Sequence, residues 1–365
     1  MSLSKDTGQK IKVAVAMSGG VDSSVAAALM VNEGYDVIGI MLRLWSEPGS
    51  ESANRCCTPD AMALAKQVAA QLNIPFYPID AKNVFYNQIV EPFINGYEQG
   101  ITPNPCLQCN RHIRWEFMLN HALAFGATAM VTGHYARLES NSGRIKLLKA
   151  KDLNKDQSYV LHVLDQEQLS KAQFPLGDYT KVEVRQLAKD FGLPAAEKGD
   201  SQDLCFLGKG NYREFLERNS TRPYEPGEIT NLKGEKLGWH AGLPMYTIGQ
   251  RRGLGISTKK PSYVLEKDIE KNTLVVGTKD ELNHRILLAN KVNWVSIAPP
   301  AEPFRAAVKI RYKSVEEPAE VIPLEDGSVE VHFVHPVKAI TPGQAAVFYD
   351  ADICLGGGII QMAIK

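Results

Sequence analysis

Two thiol-bearing segments and one turn of small residues hold the reactive groups of this sequence. Cys106 and Cys109 form the Cys-x-x-Cys of Thr102-Pro103-Asn104-Pro105-Cys106-Leu107-Gln108-Cys109-Asn110. Cys205 stands in a second polar segment, Lys198-Gly199-Asp200-Ser201-Gln202-Asp203-Leu204-Cys205-Phe206. A thiolate is a nucleophile and a metal ligand; one cysteine can carry a persulfide while another resolves the mixed species by disulfide exchange. The third feature, Ser18-Gly19-Gly20-Val21-Asp22-Ser23-Ser24, separates the apolar run KIKVAVAM from the alanine-rich run VAAALMVN. A strand hands over to a helix there, so unpaired N–H groups and missing Cβ atoms make a cradle for phosphate. No lysine precedes Ser23-Ser24, as a Walker loop requires, and the three glycines of a dinucleotide turn are missing. For two glycines taken alone, an ordinary strand-to-helix turn is the plain alternative.

Alternating strands and helices must position these groups. Lys10 to Met17, Tyr35 to Trp45, Ile74 to Ile79 and Ala129 to Thr132 read as strands; Val25 to Asn32, Ala61 to Leu72, Asn83 to Gln99 and Arg114 to Phe125 read as helices. The pattern predicts an α/β fold with a doubly wound parallel sheet, whose ligand lies beyond the carboxyl ends of the strands. Gly133 and His134 fall at such an end, although a plain strand terminus is an equal reading. The prolines around Cys106 and Cys109 predict a rigid loop, neither helix nor strand. Asn141-Ser142-Gly143 predicts a hairpin within Arg137 to Lys149, with the polar patch Lys155-Asp156-Gln157-Ser158-Tyr159 beside it. Past Asn211 the alternation stops. A short helix from Tyr212 to Arg218 and Gly/Pro turns follow, and six short strands from Arg285 onward predict a small β-barrel. The expected division is 1–210, 211–284 and 285–365.

A chain of 365 residues is long for a single core. With 44% hydrophobic and 22% charged residues, it reads as an ordinary soluble protein. No apolar run reaches the ~18 residues of a membrane span, and MSLSKDTGQK lacks the apolar core of a signal peptide, so a cytoplasmic protein without membrane attachment is expected. The 41 basic and 41 acidic residues cancel, so any contact with nucleic acid must use local patches. Six cysteines in such a chain point to metal or redox chemistry rather than to a disulfide framework.

Thiols and a phosphate cradle together suit the replacement of a carbonyl oxygen by sulfur. That oxygen leaves poorly, so it must be adenylated before a sulfur nucleophile displaces AMP. SGGVDSS resembles the PP-loop of the ATP pyrophosphatases. With the TPNPxxxCN segment, GHYAR (Gly133 to Arg137), KDQSY (Lys155 to Tyr159), DSQDLCF (Asp200 to Phe206) and YTIGQRRGLGI (Tyr246 to Ile256), in that order, the chain resembles the tRNA-specific 2-thiouridylases, the MnmA family, over nearly its whole length. The resemblance implies ATP-dependent formation of 2-thiouridine at the wobble uridine of tRNA, with sulfur from an upstream protein carrier or cysteine desulfurase. It makes Cys109 the nucleophile and Cys205 the persulfide bearer. It places Ala16, Met17, Ser18, Gly19, Gly20, Val21, Asp22, Ser23, Met41 and Gly133 on ATP. It sets Asn104, Pro105 and Cys106 against the target base, and Lys155, Asp156, Gln157, Arg311 and Tyr312 on tRNA. Mg²⁺ would neutralise the phosphates, with Asp22 orienting metal or phosphate.

One position departs from the family pattern: Cys106 stands where an aspartate is expected, three residues before the nucleophile. Cys106, Cys109 and Cys205 could therefore be three ligands of a [4Fe–4S] cluster that donates sulfide, and the persulfide and cluster routes both stand. A Cys₃His zinc site with His112 is a further reading. Cys56 and Cys57 read as buried or redox-inert and Cys354 as core. Arg111, Arg114, Arg251-Arg252, Lys309, Arg311 and Lys313 are candidate phosphate contacts, while Lys259-Lys260 reads as a solvated face. The rival functions are a PP-loop ligase acting on a small molecule and a non-enzymatic RNA-binding protein with a structural metal.

Overall fold

A computed structural model describes residues 10–49, 58–141, 143–199, 204–208, 210–220 and 223–364. Cys56, Cys57 and Asp200 to Asp203 lie outside them.

The first part of the chain alternates as its apolar pattern dictates. In order come β1 (Lys12–Ala16), α1 (Val21–Asn32), β2 (Asp36–Arg43), α2 (Pro59–Gln71) and β3 (Phe76–Asp80). A broken helix follows: α3 (Lys82–Phe85), a π-turn (Tyr86–Val90) and α4 (Glu91–Glu98). Next are α5 (Pro105–Gln108), a π-helix (Cys109–Met118), α6 (Leu119–Ala124) and β4 (Ala129–Val131). The hairpin β5 (Arg137–Asn141) and β6 (Arg144–Leu148), α7 (Ser158–Leu161), α8 (Gln166–Ser170), β7 (Ala172–Gln173) and α9 (Lys181–Asp190) complete this part.

One five-stranded sheet runs β3-β2-β1-β4-β7, with all its pairings parallel. Strand order reverses between β1 and β4, and the turns leaving those two strands open a crevice. Successive β1 residues face opposite sides: Val13 and Val15 enter one buried cluster with α1 and α2, and Ala14 enters another. Helix α1 is buried nearly all round from Val21 to Met30, which its alanines permit by letting neighbours approach closely. The phosphate turn is thus mounted on a buried core element.

The expected loop around the two cysteines is instead the start of a helix. Pro105 occupies the first helical position, where its missing N–H costs nothing, and the Asn104 side chain caps the helix by accepting from Cys106 N at 3.2 Å. Helix therefore runs from Pro105 through the π-segment to Ala124, not from Arg114 onward.

Helix α10 (Tyr212–Asn219) leads to a four-stranded sheet of β8 (Gly227–Thr230), β9 (Lys236–His240), β10 (Tyr263–Asp268) and β11 (Thr273–Gly277), ordered β10-β11-β8-β9. The remaining strands are β12 (Asn283–Asn293), β13 (Phe304–Lys309), β14 (Glu317–Pro323), β15 (Val329–Lys338), β16 (Ala345–Asp350) and β17 (Ile353–Ile364). Pairing of β12 with both β15 and β17 closes them into a barrel, as their short alternating runs predicted. The hairpin forms where expected but does not stand alone. Strand β6 pairs with β17, Leu147 opposite Cys354, so the first part of the chain extends the barrel's sheet.

Candidate active site

The PP-loop is shaped by its small residues. Gly19 has φ +65°, and a Cβ there would lie 2.2 Å from Ala61 O; a Cβ on Gly133 would lie 2.9 Å from Ser23 N. Both glycines are therefore demanded by close approach, Gly19 by α2 and Gly133, in the turn after β4, by the first turn of α1. Ser23 Oγ and Ser24 Oγ donate to Gly20 O at 3.1 and 2.8 Å, and Ser18 N donates to Ser23 Oγ at 3.2 Å. Asp22 projects from the first turn of α1, and its Oδ1 accepts from Tyr135 Oη at 2.8 Å and Lys181 Nζ at 2.7 Å. Lys198 Nζ donates to Gly19 O at 3.0 Å.

Beyond this turn opens a cavity of about 550 Å³. Ala16, Met17, Ser18, Gly20, Val21, Asp22 and Ser23 line it, as do Met41 and Gly133. Gly19 does not line it; its carbonyl accepts from Lys198, which does. Cys109 and Cys205 line it too, so the phosphate turn and two of the three thiols share one space. Five cations, Arg114, Lys155, Lys181, Lys198 and Lys313, face a single carboxylate, Asp22, among the described lining residues. Such a lining favours a polyanion. A second, open depression of about 660 Å³ on the barrel wall has no lining residue in common with it.

The π-helix decides what the cysteine wall presents. Bonding from i to i+5 widens the turn beyond 3.6 residues, so positions four and five apart share a face. Cys109, Ile113, Arg114 and Met118 follow that spacing and all line the cavity. Cys205 is held differently. Its neighbour Phe206 is 2% exposed and packs edge-on against Phe85, Phe93 and Phe215, with ring centroids 6.0, 5.2 and 5.4 Å away.

Three consecutive stretches match family models: residues 11–209 a tRNA methyl transferase HUP domain, 213–278 a tRNA methyl transferase PRC-barrel domain, and 284–360 an aminomethyltransferase beta-barrel domain. The chain is 46% identical, over 356 residues, to the tRNA-specific 2-thiouridylase MnmA of Heliobacterium modesticaldum, covering 96% of this chain and 92% of the relative. The chain belongs to the tRNA-specific 2-thiouridylase family. The MnmA of Acetivibrio thermocellus is 45% identical over 357 residues, 96% of this chain and 99% of the relative. Among solved structures, the U34-tRNA thiolase NcsA of Methanococcus maripaludis with its [4Fe–4S] cluster is similar at 19% identity and a TM-score of 0.35, over 59% of this chain and 68% of that one. That likeness is too slight to bear on the site.

In this 2-thiouridylase-family chain the residues expected at tRNA divide into two groups. Lys155, Gln157 and Tyr312 line the cavity. Gln157 is locked to Tyr135, accepting from Tyr135 N at 2.9 Å and donating its own N–H to Tyr135 O at 2.8 Å. Asp156, read as part of a polar patch, is 7% exposed; it accepts from Ala150 N, Ser158 N and Ser158 Oγ at 3.0, 3.2 and 2.7 Å. Burial pushes its carboxyl up, and those hydrogen bonds oppose the rise. Arg311 is half-buried, donating to Ala339 O and, at 2.8 Å, to Thr341 Oγ1. These two side chains join parts of the fold. Asn104 and Pro105 shape the helix start and do not line the cavity.

Cys106 is exposed, Cys354 is buried in the barrel as expected, and neither lines the cavity. Among the described residues no three of Cys, His, Asp and Glu are arranged to hold a metal ion. The thiol set has the right chemistry for a cluster but is not assembled among the described residues, Cys106 lying outside the cavity that Cys109 and Cys205 line. The zinc reading fails on the same ground and not on the histidine: the His112 Nδ1–Glu116 Oε2 pair at 2.8 Å leaves Nε2 open, but no thiols are gathered about it among the described residues. Lys181 and Tyr135, which hold Asp22 Oδ1, carry no individual ligand signal in the sequence. Lys181 opens α9 inside the capping box Thr180-x-x-Glu183, a signal for a helix start and not for a ligand. Among the described residues no helix is long and apolar enough to cross a membrane.

Proposed function

We propose that this chain converts the wobble uridine of tRNA to 2-thiouridine, in two steps within one cavity. The observation that carries the reading is the shared lining of one cavity by Ser18, Gly20, Val21, Asp22 and Ser23 of SGGVDSS with Cys109 and Cys205. ATP lays its phosphates on the N–H groups at the start of α1, with Lys181 and Lys198 beside the departing pyrophosphate. Mg²⁺, when bound with the nucleotide, neutralises phosphate charge; Asp22 fits its usual protein share of one or two carboxylates. The uridine, drawn from its stack, offers its C2 oxygen to the α-phosphate, and pyrophosphate leaves. The terminal sulfur of a Cys205 persulfide then attacks C2, and AMP departs. Cys109 attacks the Cys205 sulfur, leaving C2=S on the base and a Cys109–Cys205 disulfide on the enzyme.

Lys155, Gln157 and Tyr312 are the residues proposed to meet RNA, with Tyr312 offering a stacking face. Asn104, Pro105 and Cys106 would act by placing the helix that presents Cys109 to the base. Segment 1–210 would perform the chemistry, and 211–284 with 285–365 would hold the tRNA, in the cytoplasm, supplied by a protein sulfur carrier or desulfurase. The persulfide route is favoured because the two lining thiols suffice for it. The third thiol, Cys106, one helical turn before Cys109, is what favours cluster-borne sulfide. Anaerobic purification with iron and sulfide analysis separates them: iron-free, fully active protein supports the persulfide, and iron lost together with activity in Cys106→Ala supports the cluster.

Cys109→Ser and Cys205→Ser are each expected to abolish thiolation while tRNA binding, read by filter retention, persists. A single variant that still thiolates contradicts the assignment. ATP–pyrophosphate exchange that depends on a small acid, and not on tRNA, would favour the small-molecule ligase instead.

A further inference from the structure

A guanidinium with no part in the scheme above stands on the Cys109 face of the π-helix. Arg114 Nη1 donates to Asn110 Oδ1 at 3.2 Å and to His134 Nε2 at 3.1 Å, and Arg114 lines the cavity. A guanidinium only donates, so His134 Nε2 carries a lone pair and Nδ1 carries the proton, which it donates to Thr132 Oγ1 at 2.8 Å. That ring is neutral. Its burial, 6% exposed, and the neighbouring Arg114 charge hold its pKa well below the ordinary range. An always-charged planar donor, held at a cavity wall by a neutral acceptor, suits an oxyanion.

Two of the other four lining cations are committed at the PP-loop. Lys181 is tied to Asp22 and Lys198 to Gly19 O, both at the PP-loop, where pyrophosphate would leave. Arg114 stands with the thiols, where AMP would leave. Charge develops there. The adenylated base is a phosphodiester with one negative charge; as C2–S forms and C2–O breaks, the bonding pair passes to the AMP oxygen, and the phosphate becomes a dianion. A cation beside that phosphate binds the departing group more tightly than the ester, which is what accelerates a step.

We propose that Arg114 is a further catalytic residue, binding the phosphate of the adenylated uridine and stabilising AMP as it departs, with His134 as its positioning residue. The inference rests on the adenylation reading above. It is tested with the whole enzyme, persulfide-loaded, on tRNA with unmodified wobble uridine, by following pyrophosphate and AMP release separately in one turnover. Arg114→Gln should release pyrophosphate within about twofold of the parent rate but release AMP and form thiouridine about 10²-fold more slowly, so that adenylated tRNA accumulates. Arg114→Lys, keeping the charge without the fork, should recover part of the loss. His134→Leu should share the defect, and His134→Gln, whose Oε1 can accept from Arg114, should relieve it.

A structural role would slow both releases alike. Equal slowing in Arg114→Lys and Arg114→Gln, or parent-rate AMP release in Arg114→Gln, overturns the proposal. If the parent enzyme releases no pyrophosphate with tRNA, the adenylation reading itself has failed and takes this inference with it.

Discussion

Asp22 does two jobs at one atom. Its Oδ1 gathers Tyr135 and Lys181, and its position in the first turn of α1 sets it beside the phosphate cradle. Asp22→Ala is expected to slow tRNA-dependent pyrophosphate release on the order of 10²-fold, because a lysine loses its alignment together with the carboxylate. Release at the parent rate would remove Asp22 from the account. Two buried histidines make a separate prediction about acid. His162, 2% exposed with Nδ1 at 2.6 Å from Tyr159 O, is lowered by burial from 6.5 to about 4, and burial holds His134 well below 6.5. Both are neutral when folded, whereas the unfolded chain takes up protons near 6.5. Stability is therefore complete above that pH and falls as pH drops from 6.5 towards 4, by roughly 3 kcal/mol for His162. The urea midpoint should decline across that window, and less steeply in His162→Gln; parallel profiles would contradict it.

At the scale of elements, what the sequence concealed was geometric. The strands of the first sheet were legible because buried parallel strands are continuously apolar, and SGGVDSS was legible because few turns need so many small residues. The helix at Pro105 was not, since proline reads as a breaker unless its position at a helix start is known. Neither was the π-segment. Its residues carry no distinctive types, yet the wider turn brings Arg114 into the cavity with Cys109. Asp156 misled in the opposite way, its polarity hiding a buried hub that caps Ala150 and Ser158. Phe206 belongs to this scale as well, since its ring pins the Cys205 turn among helices α3, α4 and α10. Phe206→Ala should cost about 3–5 kcal/mol in the urea transition and slow sulfur transfer more than pyrophosphate release. Equal slowing of both would mean that Phe206 serves only the core.

Across the whole molecule, the barrel is bound to the PP-loop part by more than surface contact. Strand β6 pairs with β17, Tyr159 Oη donates to Ala345 O at 3.0 Å, and Ser158 Oγ lies 3.2 Å from Tyr349 Oη. Such pairing lay beyond the sequence pattern, because hairpin residues reveal their cross-strand partner only within two residues and not two hundred. The two parts should accordingly unfold together. A single calorimetric transition for the first sheet and the barrel is expected, and two well-separated transitions would contradict the shared sheet. Joined in this way, the barrel brings Tyr312 and Lys313 to the cavity that holds the PP-loop and two thiols.

That junction of nucleotide and sulfur is most directly tested by one turnover with persulfide-loaded enzyme, ATP and tRNA, quenched and analysed by peptide mass spectrometry. The account predicts 2-thiouridine, AMP and a Cys109–Cys205 disulfide in equal amounts. Thiouridine formed in full yield with no bond between those two sulfurs would contradict it.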